Sequence, residues 1–542
     1  MALEEGSSNI KQEATVQEPP LTGEIKQPIY LVRASAVNLY ETKLSKNNLQ
    51  TNMDILTSNA SFLKEALISD EDKDFQAALD TINYFIHFYD GYMYRQKHLL
   101  GKGDQNLTDD RVSAFIDIIR NQFQESIPKI EARMQINNKD EKLRIVKTVT
   151  GLLGETKQEN TNNAAFVDFL MHNFEPVLRS QSLGTVEEPF VHSSLLDDGS
   201  AVAYSMIGAI LSNGDKNQID TLGQKVGLLL RDNDPSVRQC LKNSLCITAY
   251  KSQANFIHGI LFNDMDSIRS SMRQKVNRLL EFVVKTYGLD PKTTIDAWQL
   301  SFSRGALVDE DKIQKTVSFN LQRMFEIEFQ RPGIVKELNS RFGIVDFAKY
   351  PRDLLIAQYD ERDKEISSPY GIIINSTADR NGAFYSQESL YANLYDQLKD
   401  KGRIIIFEAS SLTELISILN SCRHNHGKIS FAVIGGHGTI DNIEFSRTTP
   451  RNKLSIKDAR MRGVEAVRQV FTTNPTIVLN ACETGKSGGL AEEIAKKGVK
   501  VIAPDGSPEG IENMKIEIGT DGVLDFTVSY GNTPTKLYAN RN

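Results

Sequence analysis

From about residue 30 to 340, apolar residues recur at intervals of three and four, strand-like alternation is scarce, and Asn, Asp and Gly punctuate the segments. This predicts a long all-α region. Past residue 369 the pattern changes. Short continuous apolar runs (Gly371-Ile-Ile-Ile-Asn375, Arg403-Ile-Ile-Ile-Phe407, Ile429-Ser-Phe-Ala-Val-Ile434, Thr476-Ile-Val-Leu-Asn480, Val499-Lys-Val-Ile-Ala503) alternate with helical stretches near 386–400, 411–421, 457–471 and 488–497. Strands that are apolar throughout and separated by helices predict a mainly parallel sheet covered on both faces. Met514-Lys-Ile-Glu-Ile518 and Val523-Leu-Asp-Phe-Thr-Val528, around Thr520-Asp-Gly522, predict a hairpin at the sheet edge. The fold class is therefore multidomain: an all-α N-terminal region followed by an α/β domain with a C-terminal β-hairpin. The expected boundaries are a flexible tail over 1–28, poor in large apolar residues, the helical region over 29–345, a charged, Pro-terminated linker over 346–368, and the α/β domain over 369–542.

Composition narrows the function. A chain of 542 residues is long for one core and fits two to four domains at ~100 to 200 residues each. With 40% apolar and 25% charged residues it has the make-up of a soluble protein. The formal charge of -7 and the lack of a Lys/Arg-rich block argue against nucleic acid as a partner. No apolar run approaches the ~18 residues that span a bilayer, and Met-Ala-Leu-Glu-Glu-Gly-Ser-Ser at the start has neither a basic nor an apolar leader. The expectation is a cytoplasmic protein without a membrane partner, with export by a signal-less route left open. The four cysteines, Cys240, Cys246, Cys422 and Cys482, show no pairing pattern and no C-x-x-C, so neither disulfides nor zinc is expected. Cys422, His424 and His426 lie close together but lack a fourth ligand, and no metal or cofactor is expected.

Inside the helical region, Gly227-Leu-Leu-Leu-Arg-Asp-Asn-Asp-Pro-Ser-Val-Arg238 is echoed by Gly259-Ile-Leu-Phe-Asn-Asp-Met-Asp-Ser-Ile-Arg269. The Asp-Pro-Ser-Val-Arg turn into a helix resembles a HEAT-type repeat; two helix starts sharing an Asp N-cap give the same pattern. A repeat region of this kind implies a regulatory partner-binding or restraining role. The aromatic stretch Tyr84, Phe85, His87, Phe88, Tyr89, Tyr92 and Tyr94 is read as a buried helix face.

The chemistry is concentrated at two strand ends. In an open parallel sheet, functional groups collect just past the carboxyl ends of strands. Gly435-Gly-His-Gly438 follows the third strand and Asn480-Ala-Cys-Glu-Thr-Gly485 the fourth. A thiol attacks as thiolate, and an imidazole nearby takes its proton. Glycines beside His437 let the backbone turn sharply and leave room for a substrate chain. In this order, His-Gly after one strand and Ala-Cys after the next resemble the caspase-like (clan CD) cysteine peptidases, which include legumains, gingipains, separases and the CHAT domains. "A-C-E-T-G" is most like the CHAT form. The resemblance covers 369–542. It implies a peptidase cutting protein substrates, with His437 as base, Cys482 as nucleophile, and the N–H groups of Gly438 and Cys482 as oxyanion hole.

Two departures qualify it. Asn480-Ala-Cys-Glu stands where caspases carry Gln-Ala-Cys and a small or basic residue, so their preference for Asp does not carry over. The segment after Cys482 lacks a long cleavable linker. Asp379, Glu483 and Asp505 are placed near one sheet edge, which predicts a substrate-binding pocket favouring Arg or Lys before the scissile bond. Asp441 is read as a loop cap rather than as a third catalytic residue. Two alternatives stand beside this reading. One is a catalytically silent interaction scaffold. The other is a nucleotide-binding loop at Gly485-Lys486-Ser487, weakened by Asn480 in place of the leading glycine and by the short remaining chain.

Overall fold

A computed structural model of the chain describes residues 28–41, 46–99, 110–135, 138–154, 163–180, 198–259, 266–300, 310–366, 369–377, 387–446, 452–461, 469–508, 510–518 and 524–539. The tail read over 1–28 lies outside them but for Pro28. The chain divides into two compact units, residues 1–173 and 174–542.

The first unit is helical, with α1 (Pro28–Glu41), α2 (Lys46–Ser58), α3 (Ala60–Leu67), α4 (Asp72–Leu99), α5 (Asp110–Met134), α6 (Lys139–Gly154) and the start of α7 (Ala164–Ser180). Helix α4 shows why. Asp72 and Asp74 sit in its first turn, where negative charge suits the helix dipole, and Phe75, Ala78, Leu79, Ile82, Phe85, Ile86 and Tyr89 recur at helical spacing and are all buried. The aromatic stretch is core, as expected, for Phe85, Phe88, Tyr89 and Tyr92; Phe85 meets Phe115 of α5 edge-on at 4.8 Å. His87 is exposed.

The second unit begins with further helices: α8 (Asp198–Asn213), α9 (Lys216–Leu229), α10 (Pro235–Gly259), α11 (Asp266–Thr286), α12 (Pro291–Leu300), α13 (Glu310–Gln330), α14 (Ile334–Phe342) and α15 (Arg352–Asp360). The Asp-Pro-Ser-Val-Arg turn is a helix start: the Asp234 carboxylate accepts the Ser236 N–H at 2.8 Å, and Pro235 opens α10 without leaving an amide unpaired. Its echo falls largely on 260–265, outside the described residues. The later helices and the sheet belong to one unit, so the expected boundary near 346–368 is not where the chain divides. Nor is that stretch a linker. It holds a 3-10 turn at Phe347–Lys349 and helix α15, with Phe347, Tyr350, Leu354 and Leu355 buried. The surrounding charges hid a short amphipathic pattern.

The main sheet has the order β11-β8-β7-β3-β1-β2. Its strands are β1 (Tyr370–Ser376), β2 (Arg403–Ala409), β3 (Ile429–Gly435), β7 (Phe471–Asn480), β8 (Lys500–Pro504) and β11 (Thr535–Tyr538). All pairs are parallel except β8 with β11. Every residue of β1 is buried, as a strand covered on both faces requires. Helices α16 (Glu388–Leu398), α17 (Leu412–His426), α18 (Ile456–Met461) and α19 (Leu490–Ala495) run between the strands. Past β3 the chain makes a small antiparallel sheet of β4 (His437–Thr439), β5 (Asn442–Glu444) and β6 (Lys453–Ser455). The C-terminal hairpin, β9 (Asn513–Ile518) with β10 (Leu524–Ser529), forms its own two-stranded sheet rather than the main sheet's edge. That edge is β11, which the sequence reading did not pick out.

Candidate active site

The strand order reverses between β1 and β3, so the crevice past their carboxyl ends is where an open α/β sheet places function. Three features bring His437 and Cys482 together beside that crevice, at the ends of β3 and β7. Gly435 and Asn480 are register partners at the ends of β3 and β7. The Gly436 N–H donates to the Asn480 carbonyl at 3.2 Å. Most telling is Gly438: a Cβ built on it would lie 2.5 Å from the Cys482 carbonyl oxygen, 2.7 Å from the Cys482 nitrogen and 2.8 Å from the Ala481 carbonyl carbon. The hairpin that starts at His437 is thus seated on the backbone of Cys482, and the two amides assigned to an oxyanion hole are neighbours.

Cys482 is half-buried, whereas Cys240, Cys246 and Cys422 are buried. Its thiol donates to the Pro508 carbonyl at 3.8 Å. Burial pushes its pKa above the ordinary thiol value, the Glu483 charge adds to that, and hydrogen bonds from Ser507 and its own N–H oppose it. The resting group is a neutral thiol, which can act as a nucleophile only where a base takes its proton. Cys246 and Cys422 are pushed up to about 12 by burial. The expected outcome with iodoacetamide is that Cys482 alkylates first, at a rate that climbs with pH through 9, because the thiolate fraction still grows there. A plateau below pH 8, read by mass spectrometry of the labelled peptide, would contradict the neutral thiol.

The residues expected to bind substrate fall differently. Asp379 lies outside the described residues. Glu483 follows Cys482 at φ 60, the left-handed region that non-glycine residues seldom occupy. Its N–H donates to the Gly506 carbonyl at 2.5 Å, and its carboxylate holds Lys486 at 2.7 Å. Asp505 is nearby but pairs with Lys536 at 3.4 Å. Asp441 sits in the two-residue turn joining β4 to β5; its N–H donates to Thr439 Oγ1 at 3.3 Å and its carbonyl accepts from Ile456. Lys486 of the suspected nucleotide loop faces Glu483, and α19 begins only at Leu490.

Sequence reasoning missed what lies beneath. At the ends of β1 and β2, buried polar groups form a continuous chain. Lys349 Nζ lies 2.5 Å from the Asp346 carboxylate and 3.6 Å from Glu408, all three side chains fully enclosed. Glu408 accepts the Val345 and Asp346 N–H groups and the Tyr350 hydroxyl at 2.8, 3.2 and 3.0 Å. Asn375 Nδ2 donates to the Tyr350 and Tyr391 hydroxyls at 3.2 and 2.9 Å. Gln387 Oε1 then accepts from Tyr391 and from Asn480, at 3.2 and 2.8 Å. Asn480 ends β7, two residues before Cys482. The only sequence cue was Asp346 and Lys349 set among apolar neighbours in Val345-Asp-Phe-Ala-Lys-Tyr350.

No known protein family, curated protein or solved structure matches the chain. Among the described residues, no group of three or more His, Cys, Asp or Glu is placed to hold a metal, and no helix is long and apolar enough to cross a membrane.

Proposed function

We propose that the chain is a cysteine endopeptidase of the caspase-like type, in which Cys482 attacks a peptide carbonyl and His437 takes the thiol proton. The observation that carries this reading is the seat of Gly438 on the Cys482 backbone. An imidazole-bearing residue and a half-exposed cysteine thus follow neighbouring strands, β3 and β7, beside the reversal between β1 and β3. In the first step the thiolate sulfur bonds to the carbonyl carbon while the oxyanion meets the N–H groups of Gly438 and Cys482. His437 then protonates the leaving amine, and water activated by the same imidazole releases the acyl group. The helical region serves as a partner-binding or restraining element. A scaffold role is the second reading, favoured by the thiol's hydrogen bond to Pro508 in the resting state.

Glu483 and Asp505, argued from sequence to select Arg or Lys, are each engaged by a lysine. That removes much of the charge the basic preference relied on. The test is turnover of fluorogenic peptides with Arg, Lys, Asn or Asp before the scissile bond, compared with Cys482→Ala. The expected result is turnover that falls by at least ~1,000-fold in the variant. Turnover equal in both proteins would remove Cys482 as nucleophile, and binding without turnover would favour the scaffold.

A further inference from the structure

Gln387 is 3% exposed and precedes the first turn of α16. Its Oε1 accepts two hydrogen bonds, from Asn480 Nδ2 and the Tyr391 hydroxyl. Those donors orient the carboxamide, so its Nε2 faces the other way, and Nε2 has no hydrogen-bond partner. It is aimed at Gly510, where an added Cβ would lie 1.9 Å from Nε2. No residue with a side chain fits at 510 while the amide stays where it is. Both neighbours lead to the nucleophile: Asn480 is two residues before Cys482, and Gly510 is two residues after Pro508, whose carbonyl holds the thiol hydrogen. A buried amide donor left unpaired is costly, and such groups call for an explanation in terms of a ligand or a strained function.

We propose that Gln387 is a specificity-determining residue whose Nε2 receives the carbonyl oxygen of an Asn or Gln side chain, the substrate residue before the scissile bond. This rests on the peptidase reading above. Gly510 covers the amide with backbone alone, so the incoming side chain has only that backbone to displace. A lysine or arginine brings donors to a donor and has no acceptor to offer. A carboxylate offers acceptors for Nε2 but no N–H group for the Pro508 carbonyl. A carboxamide is uncharged and offers both an acceptor for Nε2 and N–H groups for the Pro508 carbonyl, which is freed once the thiol proton passes to His437.

The test uses the full chain and peptides with Asn, Gln, Asp, Arg, Lys or Ala before the scissile bond. The variants are Gln387→Glu, which keeps an acceptor for Asn480 and Tyr391 but removes both N–H donors, and Gln387→Met, which removes the polar head. Wild type is expected to turn over Asn or Gln peptides with kcat/KM at least ~10-fold above the rest. Both variants should lower that value by roughly 10- to 100-fold and leave Arg and Lys peptides undiminished. A wild-type preference for Arg, Lys or Asp overturns the assignment, as does an equal loss on every peptide in whichever variant retains the wild-type melting temperature. Both outcomes leave the peptidase reading intact. A lack of Cys482-dependent turnover, together with no labelling of Cys482 by peptidyl acyloxymethyl ketones of these sequences, overturns both.

Discussion

Gly438→Ala is expected to abolish turnover as completely as Cys482→Ala while leaving the fold in place. The added methyl would lie within 2.8 Å of three backbone atoms of Ala481 and Cys482, and backbone cannot swing aside as a flexible side chain does. The hairpin must lift off the Cys482 backbone by about an ångström or more. A displacement of that size at the reacting groups costs on the order of 100-fold by misplacement alone. Losing one of two oxyanion donors costs a further 100- to 1,000-fold. The combined loss should appear in kcat, with substrate binding much less affected, because the main chain around Asn480 and Pro504 is untouched. Circular dichroism should show an unchanged helical signal. A variant with kcat within tenfold of wild type would show that Gly438 does not set the distance between His437 and Cys482.

The features that were legible in the sequence share one property: a local pattern determines them. The apolar runs at 371–375, 403–407, 429–434, 476–480 and 499–503 became strands because a chain buried on both faces has little alternative. The strand ends then located His437 and Cys482 without reference to anything distant. Strand β11 was missed because Thr535–Tyr538 is an edge strand in which Thr535, Lys536 and Leu537 are exposed, so it carries no such run. Residues 346–360 read as a linker because they are dense in charge, yet Asp346 and Lys349 pair with one another inside the fold. Gln387 was invisible for a different reason. Its meaning depends on Asn480, Tyr391 and Gly510, which converge only in the folded chain.

The helical segment and the site are joined through the same buried chain. Trp298 of α12 donates its indole N–H to the Val345 carbonyl at 2.8 Å, and Asn320 of α13 accepts the Ala348 N–H at 3.0 Å. These two bonds clamp the backbone on either side of Asp346, whose own N–H reaches Glu408 at the end of β2. The helices therefore help hold the strand ends on which Cys482 depends. That makes the centre of the chain the place to disturb.

Lys349→Met is the substitution that does so with least change of shape. It removes an ammonium that lies 2.5 Å from Asp346 and 3.6 Å from Glu408, in a site where all three side chains are fully enclosed. Breaking a buried pair by deleting one partner costs about 3–5 kcal/mol, since the remaining charge stays out of water. Two carboxylates are left here. Burial already holds the Glu408 carboxyl above the ordinary glutamate range, and Lys349 is the main influence drawing it back down. An acid whose folded pKa is raised stabilises the fold only while protonated. That contribution is present below its unfolded value near ~4.3, and it is lost as pH rises through the folded value. Removing Lys349 raises the folded value further, so the deficit of the variant should grow from pH 5 to pH 8 rather than stay constant. Hydrogen exchange of the β1, β2 and β3 amides reports on this sheet without requiring the whole chain to unfold in one step. Protection in the variant should fall strongly at pH 8 and less at pH 5. A deficit under ~1 kcal/mol, or one independent of pH, would mean that Glu408 does not rely on Lys349 for its charge.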